Sequence, residues 1–500
     1  MQLSNTFRHL LRGLIRFSCY LLAFFLFALA IWIAANFGQP SLEQLLYHAQ
    51  FGAQGLVDTD IALIKSFFIW CIAIPWLAAV LLVLFEYSIA MFLVYGSSHW
   101  ITKPARRANL RFLKIFYWFI SHRAPLYLMI SAGAFFCFQF SINVFIHNQF
   151  GEDYFSEHYL NPALVKIKPN KPKNLVLIYV ESLEDSYKQA PIFGKNLLAS
   201  LDEVPGRSFS SYKSAPGSWW TIAGITATQC GLPLKTISLH DGNEQGHVIK
   251  QFLPNAVCLG DILHQAGYTN VYMGGDGLDF SGKGMFFKNH HYHEVYGRDE
   301  LKTQLQNPEL NYWGLYDDDL FKLAKQKLSA LHASGKRFNL TITTIDTHGP
   351  DGHFSRYCKS IGAQKFEDIV TCTAEQVVDF VAFMQKKNYL KDTNVVIIGD
   401  HLAMENPVFA KLHQVKQRLI YNKFIGKQIP VKNREEILPF DMLPTILEFI
   451  GFDVPGGKLG LGVTGFSNQN LSTKLMNYEE MDANLLNQSD QYLELWRPKP

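Results

Sequence analysis

Net charge is almost missing from this sequence. Lys and Arg number 46 against 43 Asp and Glu, which leaves a formal +3 over 500 residues. A chain so close to neutral lacks the basic footprint of a nucleic-acid binder, so no nucleic-acid partner is expected. Internal repeats are also missing, and 500 residues is too long for one small domain. Charge is scarcest in the first 150 positions: Phe17 to Phe37 and Leu126 to Ile146 contain none, and Phe67 to Tyr95 contains only Glu86. Each run is long enough to cross a bilayer, so residues 1–150 read as a transmembrane region of about three helices.

The charges beside these runs set an orientation. Arg8, Arg12 and Arg16 precede the first, while Lys103, Arg106, Arg107, Arg111, Lys114 and Arg123 separate the second from the third. The loop between the first two carries Glu43, Asp58 and Asp60 against a single Lys65. The positive-inside rule then puts the N-terminus and the basic linker in the cytoplasm, and everything after residue 150 outside. Residues 110–120 mix basic and aromatic side chains, as an amphipathic segment on an anionic inner surface does. If they crossed instead, the topology would invert. Ala28-Leu29-Ala30 also offers the small residues of a signal-peptide cleavage site, an alternative that keeps the later residues outside.

Cysteine is sparse and divided in the same way. Cys19, Cys71 and Cys137 lie in apolar segments, where a thiol is a small hydrophobe. Cys230, Cys258, Cys358 and Cys372 form two locally spaced pairs, which suggests Cys230–Cys258 and Cys358–Cys372 disulfides; four separate buried thiols are the alternative, because sequence does not fix connectivity. Disulfides require an oxidising compartment, in agreement with the charge-based topology.

Residues 151–173, with Pro162, Pro169 and Pro172, read as a polar linker. From 174 to about 465, strand-like and helix-like segments alternate, which predicts an α/β domain with a largely parallel sheet between helices. Residues 466–500, rich in Asn, Gln and Ser, read as a C-terminal surface arm. The run Asn174 to Val180 is short, continuous and apolar, and it ends in Glu181-Ser182. Asn394 to Ile398 ends in Gly399-Asp400-His401, and Phe338 to Ile345 ends in Asp346-Thr347-His348. Open α/β sheets place their sites at the carboxyl ends of strands. Three strands that deliver Glu, Asp-His and Asp-x-His to one edge predict a metal site, although a lone Asp-His is more often a cap and its neighbour. Asn270 to Met273 is a further strand candidate, Leu320 to Leu331 and Ala374 to Lys386 have helical spacing, and Asp441 to Ile450 reads as a short helix capped by Asp441 and ended by Gly451. His290, His291 and His293 follow no strand and have no matching carboxylate, so they read as a surface loop.

Pro216-Gly217 precedes Ser218-Trp219-Trp220-Thr221, where a small-residue helix from Thr221 to Gln229 is expected to begin. Thr at such a position is usually a cap. The same position also turns backbone N–H groups toward a bound phosphate. A divalent cation beside the hydroxyl would make an alkoxide accessible. Trp219 and Trp220 fit a substrate groove and core packing equally well.

Four motifs keep a common order over residues 170–465: Tyr179-Val180-Glu181-Ser182-Leu183-Glu184, then Trp220-Thr221-Ile222-Ala223-Gly224 with Gln229-Cys230-Gly231, then Asp346-Thr347-His348, then Gly399-Asp400-His401-Leu402-Ala403-Met404. The set resembles the membrane-anchored phosphoglycerol transferases. These belong to the alkaline phosphatase and sulfatase superfamily, with the lipoteichoic acid synthases and the lipid A phosphoethanolamine transferases.

The resemblance implies a sulfatase-like α/β sandwich after the transmembrane helices. It implies Glu181, Thr221, Asp400 and His401 as ligands of one divalent cation, with manganese the first expectation and zinc or magnesium the alternatives. Thr221 is then the nucleophile, and His348 contacts the phosphate or leaving group. Lipoteichoic acid synthases hold a Trp and an Arg against glycerol phosphate where this chain has Phe280-Ser281-Gly282-Lys283, so Lys283 is expected to bind phosphate as a point charge. The implied reaction moves phosphoglycerol from phosphatidylglycerol to a periplasmic glucan and releases diacylglycerol. It would occur at a bacterial inner membrane, with a multi-pass anchor and the catalytic domain in the periplasm. Phosphoethanolamine transfer to lipid A or another surface glycan is the alternative reading, and an inactive scaffold is the non-enzyme one. Sulfate-ester hydrolysis is less expected, because Thr221 stands where sulfatases oxidise a Cys or Ser.

Overall fold

The computed structural model describes residues 5–38, 40–50, 61–93, 104–235, 250–466 and 475–498. Asp58, Asp60, Tyr95, Lys103 and residues 467–474 lie outside the described residues, as do the side chains of Arg8, Arg106 and Arg107. The chain divides into two compact units, one of residues 1–42 with 60–145 and one of residues 43–59 with 146–500.

In the first unit, α1 (Asn5–Phe37) is followed in the chain by α2 (Leu42–Gln50), which falls almost entirely in the second unit. Then come α3 (Ile61–Phe67), a π-helical turn (Phe68–Ala73) and α4 (Ile74–Met91). Leu11–Phe37 and Leu63–Met91 are each long and apolar enough to cross a membrane. The one acid of the second span has partners. Glu86 accepts the Tyr20 hydroxyl at 2.6 Å and lies 3.5 Å from Arg16, which offsets the cost of a carboxylate in an apolar helix. Residues 110–120 fall within α5 (Pro104–His122). The third expected span differs from its reading. It is broken into α6 (Ala124–Gln139) and α7 (Ile142–Asn148), bent by 61°, and reaches spanning length only if the two count as one.

The second unit is built on a six-stranded sheet. Its strands are β1 (Asn174–Val180), β2 (Thr269–Gly274), β3 (Glu294–Tyr296), β4 (Phe338–Thr343), β5 (Thr393–Gly399) and β6 (Asn422–Ile425), in the order β3-β2-β4-β1-β5-β6. Only the β5–β6 pair is antiparallel. Alternate residues of β1 enter opposite cores. Leu175, Leu177 and Tyr179 pack with α8 (Thr221–Cys230) on one face. Val176, Ile178 and Val180 pack with α9 (Asp317–Ala333) and α10 (Phe366–Lys386) on the other. Burial on both faces is why these strands read as unbroken apolar runs. Register, more than composition, decides where the strands end. Val180 pairs with Gly399 and Tyr179 with Thr343, so β1, β5 and β4 end level.

Several expectations change. Residues 151–173 are not a free linker: Tyr154–His158 is helical, Phe155 is buried in the core, and Lys168–Pro169 pairs with Phe452–Asp453. The described part of the C-terminal arm is two helices, Tyr478–Asn484 and Asp490–Trp496, which bury Met481, Leu485, Tyr492, Leu495 and Trp496 in the same core. Their apolar residues recur at helical spacing within polar surroundings, a short signal that composition masks. Asp441 stands at the cap position of Met442–Phe449, but its carboxylate makes no cap bond there and accepts from Leu438 N and Val463 N instead. Both expected disulfides, Cys230–Cys258 and Cys358–Cys372, are formed.

Candidate active site

The level strand ends bring Glu181 and Asp400 side by side, one residue beyond the paired Val180 and Gly399. Both of these turns are tight. Ser182 is held at a positive φ of 53°, a conformation unfavourable for a residue with a Cβ, and its hydroxyl donates to Glu181 Oε1 at 2.7 Å. Its backbone N–H and that of His401 both donate to Asp400 Oδ1, at 2.8 and 2.9 Å. One oxygen of Asp400 is thereby fixed and the other, Oδ2, makes no hydrogen bond of normal geometry among the described residues. His401 Nδ1 is 2.8 Å from the Leu402 carbonyl, which puts the ring proton there and leaves Nε2 as a lone pair. Nε2 lies 3.5 Å from both Glu181 Oε1 and Asp400 Oδ2.

Thr221 completes the group from the other direction. It is the first residue of α8, Trp220 is the cap residue, and no side chain caps this end. The Thr221 hydroxyl turns away from its own helix and donates to Glu181 Oε2 at 3.3 Å. Close backbone packing allows this: a Cβ at Gly224 would lie 2.0 Å from the Asp400 carbonyl oxygen, so only glycine lets the first turn of α8 approach.

Donor atoms of Glu181, Asp400 and His401 lie within 4.8 Å of one another, and all three residues are buried. Two carboxyl groups and an imidazole whose Nδ1 is already engaged converge as a donor set that fits a divalent cation. The charged groups of the site act on one another. Burial, with Glu181 second, pushes Asp400 up to about 7. Burial alone would lower His401, but the Asp400 and Glu181 carboxyls outweigh it and raise it. Burial raises Glu181, and the His348 and His401 imidazoles outweigh that and hold it low.

His348 sits on the rim. Its Nδ1 is 2.7 Å from the Gly349 carbonyl, and Trp313 packs on its ring at 4.0 Å. Thr347 beside it donates to the Glu181 carbonyl at 2.5 Å, which ties the third strand end to the first. Lys283 is 3% exposed and paired with Asp276, a partner the sequence does not reveal because Asp276 lies in the preceding glycine-rich turn. Its charge still reaches Glu181. Trp220 is buried, while Trp219 is 37% exposed.

Other residues have partners that the sequence did not show. Glu184 is fully buried and accepts Arg418 Nε at both oxygens, 3.1 and 3.0 Å, and the Ala403 N–H at 2.8 Å. It thereby anchors the turn that follows His401. Asp317 at the start of α9 accepts from Ile345 N at 2.8 Å and from Asp346 N at 3.3 Å, and so holds the loop that leads to His348. The histidine run 290–293 is not a surface loop throughout. His290 is 1% exposed, and Asp261 accepts from both His290 and His291, at 2.9 and 2.7 Å. A helix-borne carboxylate 29 residues earlier gives no local signal.

Comparison with known proteins agrees with this architecture. The Sulfatase family profile matches residues 173–452. Phosphoglycerol transferase I of Salmonella arizonae is 37% identical over 345 residues, which is 66% of this chain and 43% of that protein; the chain thus spans less than half the length of the curated relatives it matches. Among solved structures, an alkaline phosphatase superfamily protein of Vibrio parahaemolyticus is 22% identical with a TM-score of 0.44, covering 62% of this chain and 74% of its own. The lipoteichoic acid synthase LtaP of Listeria monocytogenes is 15% identical with a TM-score of 0.45, covering 64% and 80%. With more than half of its length matched, around the level strand ends that carry Glu181 and Asp400, the chain belongs to the sulfatase family.

Proposed function

We propose that the protein is a membrane-anchored phosphotransferase that moves phosphoglycerol from phosphatidylglycerol to a periplasmic glucan. The observation that carries the reading is the Thr221 hydroxyl directed at Glu181 beside the Asp400 and His401 lone pairs. The curated relatives named phosphoglycerol transferase I support the head group. Two apolar helices support a membrane anchor. With the bent pair Ala124–Gln139 and Ile142–Asn148 as a third crossing, and with two disulfides, the catalytic unit falls in an oxidising space, the periplasm of a bacterial inner membrane.

In this reading Glu181, Asp400, His401 and Thr221 hold one divalent cation, manganese before zinc or magnesium. Bound there, the ion supplies Lewis-acid stabilisation of phosphate charge and lowers the cost of deprotonating the threonine. The chain's own residues do the rest. Thr221 Oγ1 attacks phosphorus, its proton passing toward Glu181. The P–O bond to diacylglycerol breaks, and that oxygen takes a proton from His348, whose ring is held through Nδ1 on the Gly349 carbonyl. A phosphoglycerol ester on Thr221 remains. A glucan hydroxyl attacks the same phosphorus and gives its proton to His348, the P–O bond to Thr221 breaks, and the Thr221 oxygen takes its proton back from Glu181. Lys283 carries positive charge toward the phosphate, damped by its pairing with Asp276.

The test is incubation of the purified full chain with head-group-labelled phosphatidylglycerol and a glucan, with and without chelator. Label transfer that is abolished by chelator is expected, and mass spectrometry of trapped protein should show phosphoglycerol on Thr221. A nitrogen-containing adduct would replace this reading with phosphoethanolamine transfer. Unlabelled glucan, together with intact phosphatidylglycerol, would end it.

A further inference from the structure

Helix α2 supplies one wall of the candidate site. Residues 43–59 group with 146–500 in one compact unit, and α2 sets Tyr47 and His48 against the loop 280–283. The Tyr47 hydroxyl donates to the Ser281 carbonyl at 3.0 Å, and His48 Nδ1 lies 3.0 Å from the Ser281 hydroxyl. Consecutive residues of α2 thus grip both polar groups of a single residue 233 and 234 positions away. That residue needs holding. Ser281 has φ 55°, a left-handed conformation that persists in a residue with a Cβ only where its surroundings over-determine it. Lys283, two residues on, opens the next helix.

The same contacts join an aromatic arc around the site. His48 stacks on Phe280 at 5.9 Å and lies 6.0 Å from Trp220, the residue before Thr221. Phe280 lies 5.3 Å from Trp313, which packs on His348. Two donors in this arc, Trp220 Nε1 and Trp313 Nε1, are buried with no partner among the described residues. Burial pushes the His48 imidazole down to about 4, so at neutral pH it is a neutral hydrogen-bonding ring and Lys283 is the cation of this wall. Neutral rings, two free N–H donors and one ammonium suit a small phosphorylated polyol, which stacks its carbons on the rings and turns its oxygens to the donors.

We propose that α2 completes the donor head-group subsite, and that His48 is a positioning residue that fixes the Phe280–Lys283 loop through Ser281. The inference rests on the phosphoglycerol reading above.

The test uses the full chain in detergent with labelled phosphatidylglycerol, and bis(p-nitrophenyl) phosphate as a phosphodiester without a polyol. His48→Phe keeps the ring between Trp220 and Phe280 and removes the bond to Ser281. The expected result is a KM for phosphatidylglycerol raised about three- to tenfold with kcat within about twofold, the worth of one hydrogen bond. His48→Asn, whose amide reaches the Nδ1 position, should restore KM. The double variant His48→Phe/Ser281→Ala should lose no more than either single one. Unchanged KM in His48→Phe, a fall in kcat alone, or additive losses would overturn the inference while phosphatidylglycerol turnover by the unaltered protein upholds the function. If the unaltered protein cleaves the aryl diester but not phosphatidylglycerol, the function reading fails and the subsite inference fails with it.

Discussion

Thr221 and Glu181 meet across 3.3 Å, hydroxyl to carboxylate, although they lie 40 residues apart and come from different kinds of element. Glu181 leaves the carboxyl end of a central strand, and Thr221 opens a helix whose first turn Gly224 lets down onto the Asp400 backbone. A threonine at the start of a helix ordinarily caps it or faces water. Here the hydroxyl is turned toward an acid and away from its own helix.

If Thr221 is the nucleophile proposed above, its loss costs chemistry and spares the fold. Thr221→Ala should fold with a melting temperature within a few degrees of the parent, and turnover should fall at least about a thousandfold, as it does when a nucleophile is removed. Thr221→Ser keeps the hydroxyl and should keep measurable turnover and a covalent adduct. Transfer of the head group by Thr221→Ala at the parental rate would assign the nucleophile elsewhere.

A cation among Glu181, Asp400 and His401 would bind the folded chain only, so its removal should lower stability as well as activity. With free metal at about a hundred times its dissociation constant, the loss on chelation is about 2.7 kcal/mol. Calorimetry with and without chelator measures it. Asp400→Asn should melt at one temperature in both conditions. If Asp400→Asn still responds to metal as the parent does, the stabilising ion sits elsewhere.

Arg418 should matter to stability well before it matters to substrate. Glu184 is fully buried, and Arg418 is the cation paired with it. Arg418→Ala leaves an uncompensated buried carboxylate, at a cost of about 3–5 kcal/mol. The double change Glu184→Gln/Arg418→Met removes both charges and should recover much of that loss. Denaturant titration of the two variants tests the expectation; equal destabilisation of both would mean that packing, not charge, is what Arg418 provides.

Asp317 predicts a pH dependence of definite sign. Burial pushes its carboxyl up to about 7, well above the ordinary aspartate value. The folded state then holds this proton more tightly than the unfolded state. Its contribution is most favourable in acid and is lost as pH rises through about 7. Asp346 beside it is displaced in the same direction, by burial first and by Asp317 second. Asp317→Asn should therefore flatten the fall in stability between about pH 5 and about pH 7, by up to about 1.4 kcal/mol per pH unit. Denaturation midpoints across that range decide it, and an unchanged slope would show that Asp317 is ionised in the folded protein.

Much of the sheet and its edge could be read in advance because of how parallel strands are buried. Covered on both faces, Asn174–Val180 and Thr393–Gly399 are continuous apolar runs, and the polar residue that ends each run marks where the chain leaves the core. The start of the helix at Thr221 was legible for a related reason, since Pro216-Gly217 forces a turn just before a run of small residues able to pack closely, but a role for its hydroxyl came only from the family resemblance. The partners that shape the site were not legible. Lys283 with Asp276, Arg418 with Glu184 and His290 with Asp261 are pairings between separate elements, and nothing in the local pattern of either member announces the other.

The residues by themselves determined the class of fold, the edge of the sheet where chemistry would gather, and the division into an apolar N-terminal region and an α/β unit. Those features follow from local periodicity, which each segment carries on its own. Tertiary structure alone decided that Val180 stands level with Gly399, that Thr221 turns toward Glu181, that the C-terminal helices join the core, and that α2 closes on Ser281. Those are matters of register and docking. They depend on the summed packing of many distant residues, and a linear sequence does not display such sums in any one stretch.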